Sequence, residues 1–186
     1  METVSIILKK LYFKRVNMAE KYVISDTHFY HKRILEFLDN EGKKFRGDLF
    51  DTVEEMNECI ADNWVDIVKP KDIIYHLGDV HFGNRELTGA LLKKLPGRKR
   101  LIVGNHDDIK AIAKDNWFQK IQMWRKFPEL KAVLTHVPLH PSSLEVKSLV
   151  NIIGHIHQNT SPEGPYVNAC VEVNNYTPRN IEELLL

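Results

Sequence analysis

The stretch RLIVGNHDD, residues 100–108, runs directly from an apolar strand pattern into a row of polar side chains. Its first half, with adjacent Leu, Ile and Val, is typical of a buried strand. Gly104 and Asn105 tolerate the backbone angles of a sharp turn, so a turn accounts for both. A turn does not account for His106 and Asp107, which set an imidazole and a carboxylate beside the strand end. The stretch therefore predicts a strand followed by a loop with candidate catalytic or ligand-binding side chains.

Five other short apolar runs have the same strand character, and segments with helical spacing alternate with them. The six predicted strands are YVIS (22–25), DIIYHL (72–77), RLIVG (100–104), AVLTH (132–136), VNIIG (150–154) and YVNACVEV (166–173). The predicted helices are HKRILEFL (31–38), residues 52–68 behind an Asp51-Thr52 cap, RELTGALLKKL (85–95) and Asp108–Lys114. This alternation predicts an α/β protein whose helices cover the faces of a sheet.

Polar side chains follow five of the predicted strands at the point where each strand ends. They are Asp26 and His28, then Asp79, then Asn105 with His106 and Asp107, then His136, and finally His155 and His157. The carboxyl ends of neighbouring strands in an α/β sheet meet at one crevice, where such folds bind ligands. A lone His or Asp there is more often a turn or cap residue. Independent caps do not explain imidazoles after four strands, so the pattern favours one shared site.

Seven of these side chains have the donor atoms of a metal site. They are Asp26, His28, Asp79, Asn105, His136, His155 and His157. Imidazole and carboxylate ligands suit Zn, Mn or Fe, and the two cysteines, Cys59 and Cys170, form no thiolate cluster. Seven ligands are too many for one tetrahedral ion but fit two ions that share a carboxylate. Two ions about 3.5–4 Å apart form a clamp for in-line displacement at phosphorus.

Five motifs in this order resemble those of the calcineurin-like metallophosphoesterase superfamily. The motifs are Asp26-x-His28, Gly78-Asp79, Gly104-Asn105-His106-Asp107, His136 and Gly154-His155-x-His157. The stretches SDTHFYHKRI, YHLGDVHFG, LPGRKRLIVGNHD and VEVNNYTPRNIEEL resemble, more narrowly, the small single-domain bacterial and phage members. The resemblance implies a four-layer α/β/β/α sandwich of two mixed β-sheets flanked by helices.

The resemblance also implies which residue does what in the site. One divalent ion would be held by Asp26, His28 and His157, the other by Asn105, His136 and His155, with Asp79 bridging. Manganese is expected at both positions, and such ligands also accept Fe, Zn or Ni. His106 would protonate the leaving group, with Asp107 orienting its imidazole. In this reading Gly104 lets the chain turn.

The implied reaction is hydrolysis of a small phosphodiester or nucleotide by attack of metal-activated hydroxide, with His106 as general acid. GDVHFGN and GNHD depart from the motifs of the family's protein phosphatases, which argues against phosphoprotein substrates. A phosphomonoesterase or a nuclease would use the same site. A non-catalytic metal-binding scaffold on the same fold is the alternative from another class. The candidate substrate contacts are His31, Arg33, His81 and His140, with Arg46 and Phe82 as further candidates.

The composition and net charge of the chain limit the kinds of partner that it is expected to bind. The chain of 186 residues has a formal net charge of +1, so no overall field attracts nucleic acid or an anionic membrane. Nucleic acid is therefore expected only as a substrate. No apolar run reaches the roughly 18 residues of a membrane span. The cytoplasm is the expected compartment. Residues 18–186 are expected to form one domain. Residues 1–17 are expected to form a short amphipathic leader that is dispensable for folding, and the oligomeric state is left open.

Overall fold

The strands and helices of the chain alternate as the apolar pattern predicts. The computed structural model describes residues 18–39, 41–145 and 148–186, and the predicted leader at 1–17 lies outside them. The strands within the described residues are β1 (Lys21–Ile24), β2 (Ile73–His76), β3 (Arg98–Ile102), β4 (Lys120–Gln122), β5 (Arg125–Phe127), β6 (Ala132–Leu134), β7 (Val150–Ile153), β8 (Tyr166–Asn168) and β9 (Arg179–Asn180). The α-helices are α1 (Val53–Ile67), α2 (Arg85–Lys94), α3 (Ile109–Lys114) and α4 (Ser142–Glu145).

The strands form two mixed sheets. The first has the order β4-β3-β2-β1-β9, with β9 antiparallel to β1 and the other neighbours parallel. The second has the order β5-β6-β7-β8, with β5 antiparallel to β6 and the other neighbours parallel. Ile24, His76 and Leu101 are in register across β1, β2 and β3. The loops after these three strands therefore leave the sheet side by side.

Three apolar clusters separate four layers. Between the first sheet and helices α1 to α3, Trp64 and Leu92 pack in one cluster with Ile74 of the sheet. Between the two sheets, a second cluster includes Tyr75, Ile102, Leu134 and Ile152. On the outer face of the second sheet, a third contains Val133, Leu144 and Leu149. The predicted α/β architecture of two mixed sheets flanked by helices is confirmed, and the short helix α4 is the thin fourth layer.

The cap of α1 has the predicted form. The Thr52 hydroxyl accepts a hydrogen bond from the Glu55 backbone N–H, and the Glu55 carboxylate accepts from the Thr52 N–H in return. Likewise the Asp108 side chain caps α3 by accepting from the Ala111 N–H. In the described part of the chain, no helix combines the length and the apolar character that a membrane crossing requires.

Two predicted elements are shorter than expected, and three strands were not predicted. The strand predicted at 166–173 ends at Asn168, whose side-chain oxygen accepts from the Cys170 N–H, and a 3₁₀ helix follows at Val171–Asn174. In the stretch 31–38, only Lys32–Leu35 is helical, as a 3₁₀ turn. The strands β4, β5 and β9 are the additions. Each lies at the edge of its sheet and carries little apolar pattern.

Candidate metal centre

Five of the seven predicted ligands have left-handed backbone conformations. These residues, with φ between 46° and 71°, are Asp26, His28, Asp79, His155 and His157. A residue other than glycine in this region costs of order 1–3 kcal/mol and persists only where its surroundings hold it. Such strain gathers at functional sites. Of the eleven non-glycine residues with positive φ among those described, five are therefore candidate ligands at the strand ends, which supports a functional site there.

Asp26, His28 and His157 form the first cluster of ligand atoms. One donor atom from each lies within 4.8 Å of the others, and the Nε2 atom of His157 is 3.9 Å from Oδ1 of Asp26. Asp26 and His28 are buried, and His157 is partly exposed. These three residues come from the two sheets, because Asp26 and His28 follow β1 whereas His157 follows β7.

Two buried atoms of this cluster have no hydrogen-bond partner among the described residues. They are Oδ1 of Asp26 and Nε2 of His28. The other oxygen of Asp26, Oδ2, accepts from the Ser25 hydroxyl, the His155 N–H and the Cys170 thiol. A buried acceptor without a partner costs about 1–3 kcal/mol, more when it is charged. One oxygen thus fixes the carboxylate, and the other fits a cation.

Asp26, Asp79 and His136 form a second cluster, again with donor atoms within 4.8 Å of one another. Nδ1 of His136 lies 2.7 Å from the Leu77 carbonyl oxygen, so it donates and leaves a lone pair on Nε2. That Nε2 is 2.8 Å from Oδ1 of Asn105, and the same oxygen is 3.0 Å from Nδ1 of His155. Nitrogen and amide-oxygen donors of this kind suit a divalent transition metal.

Asp79, a member of the second cluster, also lies close to His28 of the first. Its Oδ2 atom is 3.8 Å from Nε2 of His28 and 3.6 Å from Nε2 of His136. Its Oδ1 atom accepts the backbone N–H of His106 at 3.0 Å, which fixes the carboxylate. Asp79 is 2 % exposed, so both neighbours face it in a region of low solvent access. This is the position that a bridging carboxylate requires.

One side of the centre is open. Asn105, His106 and His155 are exposed, whereas Asp26, His28, Asp79 and His136 are buried. The ring of His106 lies 6.3 Å from the ring of His28 and 5.1 Å from the ring of Phe82, measured between centroids. His106 therefore stands at the entrance, where a substrate would meet it.

The predicted role of Asp107 needs a correction. Its carboxylate accepts backbone N–H groups of Asp79, Val80 and Gly104 at 2.8–3.1 Å. Among the hydrogen bonds of the described residues, none joins Asp107 to the ring of His106. Asp107 instead fastens the loop after β3 to the loop after β2, which holds Asp79 in place.

The predicted role of Gly104 also changes. Its φ is not positive, so a special turn conformation is not the reason for glycine there. A Cβ atom at this position would instead collide with the Asp79 carboxylate and with the backbone of Gly78. At Gly154 a Cβ would collide with the Ser25 hydroxyl and lie 2.6 Å from Oδ2 of Asp26. Both glycines allow strand-end loops to approach the two candidate carboxylate ligands.

Two of the candidate substrate contacts lie at the entrance. The rings of His31 and Phe82 stack at 4.7 Å, and we call this pair the aromatic rim. Nδ1 of His31 is 3.3 Å from Nδ1 of His28, and burial together with the charge of Arg46 lowers the pKa of His31 to about 4. Arg33 is exposed and lines a cleft of about 540 Å³ behind the rim.

The other three candidates make contacts elsewhere. His81 packs edge-on against Trp117 at 5.0 Å, and burial lowers its pKa. His140 is exposed, and its Nδ1 is 2.9 Å from the Ser142 hydroxyl at the start of α4. Arg46 has no exposed surface and is paired with Glu172, so it is a buried structural residue and not a substrate contact.

Sequence reasoning missed Glu172 as a site residue. It follows β8 in the 3₁₀ helix, and its Oε1 atom is 2.7 Å from Nδ1 of His157. Burial raises the pKa of Glu172, but the Arg46 charge and the His157 hydrogen bond outweigh it and hold that pKa below its ordinary value. No spacing rule points to this residue, because the contact joins positions far apart in the chain.

These features define a phosphoesterase of the calcineurin-like type. Residues 22–157 match the sequence profile of calcineurin-like phosphoesterases, and the chain belongs to that family. It is 32% identical over 176 residues to the uncharacterised protein MJ1445 of Methanocaldococcus jannaschii, and this match covers 90% of each chain. It is also 32% identical over 127 residues to the Gene 66 protein of Mycobacterium phage L5, covering 66% of this chain and 57% of the phage protein.

A solved structure has the same fold. The protein of unknown function AQ665 from Aquifex aeolicus superposes with a TM-score of 0.63 and 30% sequence identity. The match covers 90% of this chain and 98% of the Aquifex chain. The family membership supports hydrolysis of phosphoesters and binding of divalent metals as the general chemistry of this site.

Proposed function

We propose that this protein is a dinuclear-metal-dependent phosphodiesterase that hydrolyses small phosphodiester or nucleotide substrates. The observation that carries the proposal is the convergence of lone pairs on two adjacent points. Oδ1 of Asp26 and Nε2 of His28 are buried without a hydrogen-bond partner among the described residues, and Nε2 of His136 lies 2.8 Å from Oδ1 of Asn105. A cation bound by these atoms would offset the cost of burying unpartnered acceptors and of bringing two acceptors together.

Two adjacent positions at these strand ends would each hold one divalent ion. Asp26, His28 and His157 would bind the first, Asn105, His136 and His155 the second, and Asp79 both. Two such ions, when bound, supply a hydroxide nucleophile at neutral pH and neutralise charge on the phosphoryl oxygens. We propose Mn²⁺ as the native metal, with Fe, Zn and Ni as ions that the same ligands accept.

His106 would serve as the general acid. Its imidazole is exposed at the entrance, while its backbone N–H donates to the carboxylate of Asp79. That hydrogen bond sets the distance between the imidazole and the centre without using the ring nitrogens. The ring is then free to give a proton to the leaving oxygen, a contribution of about 10²–10⁴-fold in rate.

The aromatic rim favours a diester over a monoester. Phe82 is 51 % exposed and stands edge-on to His106, with His31 stacked on it. A diester carries a second organic group beside the reacting phosphorus, and a flat base or aryl ring could lie on this apolar surface. A monoester carries a single organic group, which is its leaving group, so it has no second group to place on the rim.

The test is a pair of rates measured on one preparation. The protein is stripped of metal, reloaded with Mn²⁺ and assayed with a bis-aryl phosphate diester and with an aryl phosphate monoester. Faster turnover of the diester that depends on metal and falls in His106→Ala supports the proposal. Faster turnover of the monoester would make the protein a phosphomonoesterase, and cleavage confined to polynucleotides would make it a nuclease.

A non-catalytic scaffold would behave differently. Two ions per chain without turnover of any phosphoester would contradict the proposed activity while keeping the metal site. The cytoplasmic location and the single domain over residues 18–186 stay predictions from the sequence.

A further inference from the structure

A buried ion pair joins the C-terminal part of the chain to the first cluster of candidate ligands. The side chains of Arg46 and Glu172 are 0% and 3% exposed. Nε of Arg46 donates to Oε1 of Glu172 at 2.8 Å, and a terminal nitrogen of the same guanidinium contacts the same oxygen. Burying two charges is costly unless their remaining donors and acceptors are also used. The other contacts of the pair therefore indicate what it is for.

The remaining donors of Arg46 hold the loop after β1. They donate to the backbone carbonyl of Asp26 at 2.6 Å and to that of Thr27 at 3.1 Å. Asp26 and His28 in this loop have φ values of 56° and 46°. A strained loop of this kind keeps its conformation only when its polar groups are fixed from outside, and the guanidinium does so.

Glu172, the acceptor of the ion pair, fixes the third candidate ligand, His157. Oε1 of Glu172 is 2.7 Å from Nδ1 of His157, so Nδ1 carries the proton and Nε2 presents a lone pair. That Nε2 lies 3.9 Å from Oδ1 of Asp26, across the point that the first cluster surrounds. A carboxylate behind a metal-binding histidine fixes the tautomer and raises the basicity of the ligand.

We propose that Arg46 and Glu172 are positioning residues dedicated to the metal position formed by Asp26, His28 and His157. The inference rests on the proposed function, because it concerns one of the two metal positions assigned there. The pair acts more strongly on the affinity of this position than on that of the other, which it reaches only through Asp26.

The second position has its own supports. Nδ1 of His136 is fixed by the Leu77 carbonyl, and Oδ1 of Asn105 contacts His136 and His155. Among the described residues, no hydrogen bond joins Arg46 or Glu172 to these ligands. Loss of the pair should therefore weaken the binding of one ion more than that of the other.

Charge adds a second reason for the pairing. Without Glu172, the buried guanidinium would stand beside a position meant for a divalent cation and would repel it. Among the described residues, the side-chain hydrogen bonds to Glu172 converge on Oε1, and Oε2 is buried without a partner. Glutamine can therefore keep the acceptor at Oε1 and remove the charge, with its amide NH₂ in the place of Oε2, whereas leucine removes both the acceptor and the charge.

The test measures Mn²⁺ binding by calorimetry, together with metal content after dialysis, in wild type, Glu172→Gln and Glu172→Leu. We expect one of two sites to weaken about 10-fold in Glu172→Gln and about 100-fold in Glu172→Leu, the range found when a residue that hydrogen-bonds a metal ligand is changed. The other site should weaken clearly less. The matched control is Asp115→Asn, which removes the carboxylate that pairs with Arg85 of α2 from the position directly after α3 and should change neither site.

A structural role alone would give a different result. Equal weakening of both sites, in proportion to a lower unfolding temperature of the metal-free protein, would overturn the inference, and so would unchanged affinity at both sites. If Glu172→Leu does not fold, Glu172→Gln still decides the matter, since it keeps the hydrogen-bond acceptor.

A second readout separates this inference from the proposed function. Nitrogen NMR of the metal-free wild type, recorded at a pH at which the ring is neutral, should place the single imidazole proton of His157 on Nδ1. A neutral ring with its proton on Nε2 would overturn the inference whatever the metal content. Fewer than two ions in the wild type would contradict the dinuclear proposal, and the NMR spectrum would then decide the role of Glu172 by itself.

Discussion

Oδ1 of Asn105 lies 2.8 Å from Nε2 of His136, although both atoms are acceptors. Nδ1 of His136 donates its hydrogen to the Leu77 carbonyl. Nε2 therefore has no hydrogen to donate unless the ring is fully protonated. Oδ2 of Asp79, 3.6 Å from the same nitrogen, adds a negative charge. A cation bound by Oδ1 of Asn105, Nε2 of His136 and Oδ2 of Asp79 would remove the repulsion between these three acceptors.

Metal removal should therefore lower stability. Each Mn²⁺ that binds only the folded state adds about 2.7 kcal/mol at a free concentration 100 times its dissociation constant. We expect the unfolding temperature to fall when the protein is treated with a chelator and to recover on reloading with Mn²⁺. Differential scanning calorimetry checks this, and an unfolding temperature independent of Mn²⁺ would contradict a metal in this centre.

Replacing His106 with alanine should separate chemistry from metal binding. The ring of His106 lies outside both ligand clusters, and alanine keeps the backbone N–H that donates to Asp79. We expect two ions per chain and a kcat about 10²–10⁴-fold lower for a diester with a poor leaving group. A substrate with a good leaving group should lose less, because it needs less protonation.

The control for His106 is another exposed histidine. His140→Ala removes a ring that contacts Ser142 away from the clusters, and kcat should stay within experimental error. Full turnover of the poor-leaving-group substrate by His106→Ala would show that another group supplies the proton.

Gly104→Ala should damage the centre through packing. The added methyl would meet the Asp79 carboxylate and the Gly78 backbone, so the two loops must separate. We expect a loss of unfolding free energy of about 1–3 kcal/mol and at least 10-fold weaker Mn²⁺ binding. Chemical denaturation and calorimetric titration measure the two quantities on the same sample.

Gly42→Ala provides the matched control. Its φ is +80°, so alanine is strained there by about 1–2 kcal/mol, but no atom lies within 4 Å of the added Cβ. This variant should lose similar stability and keep its Mn²⁺ affinity. If both variants lost affinity equally, general destabilisation and not the contact with Asp79 would be responsible.

The sequence predicted the buried strands better than the edge strands. The apolar patterns of β1, β2, β3, β6 and β7 reflect burial on both faces of a sheet. The additional strands β4, β5 and β9 have one neighbour each and read KIQ, RKF and RN. Exposed edges carry no apolar alternation, so their pairing depends on contacts that a local pattern does not contain.

The candidate ligands could be predicted because their residue types and strand-end positions are local features. The partners of those ligands could not. Glu172 and Arg46 are 126 positions apart. The sequence alone predicts an arginine to be at the surface, whereas the fold buries Arg46. Asp107 was assigned to the His106 imidazole, but three backbone N–H groups use its carboxylate. Residue type gives the chemistry of a side chain, whereas the fold decides its partner.

The aromatic rim should govern substrate affinity more than rate. Phe82→Ala removes an exposed ring that stands 5.1 Å from His106 and contacts no candidate ligand atom by hydrogen bonding. Base–aromatic stacking is worth about 1–3 kcal/mol, so KM for an aryl or dinucleotide diester should rise roughly 5- to 150-fold while kcat changes little.

Two controls make the rim prediction specific. Trp124→Ala removes a ring of similar exposure, 59 % against 51 %, from the segment between β4 and β5, and it should leave KM unchanged. A diester whose second group is methyl has no ring to stack, so its KM should be insensitive to Phe82→Ala. Equal effects of Phe82→Ala on the methyl and aryl diesters would mean that the side chain shapes the entrance without binding the second group of the substrate.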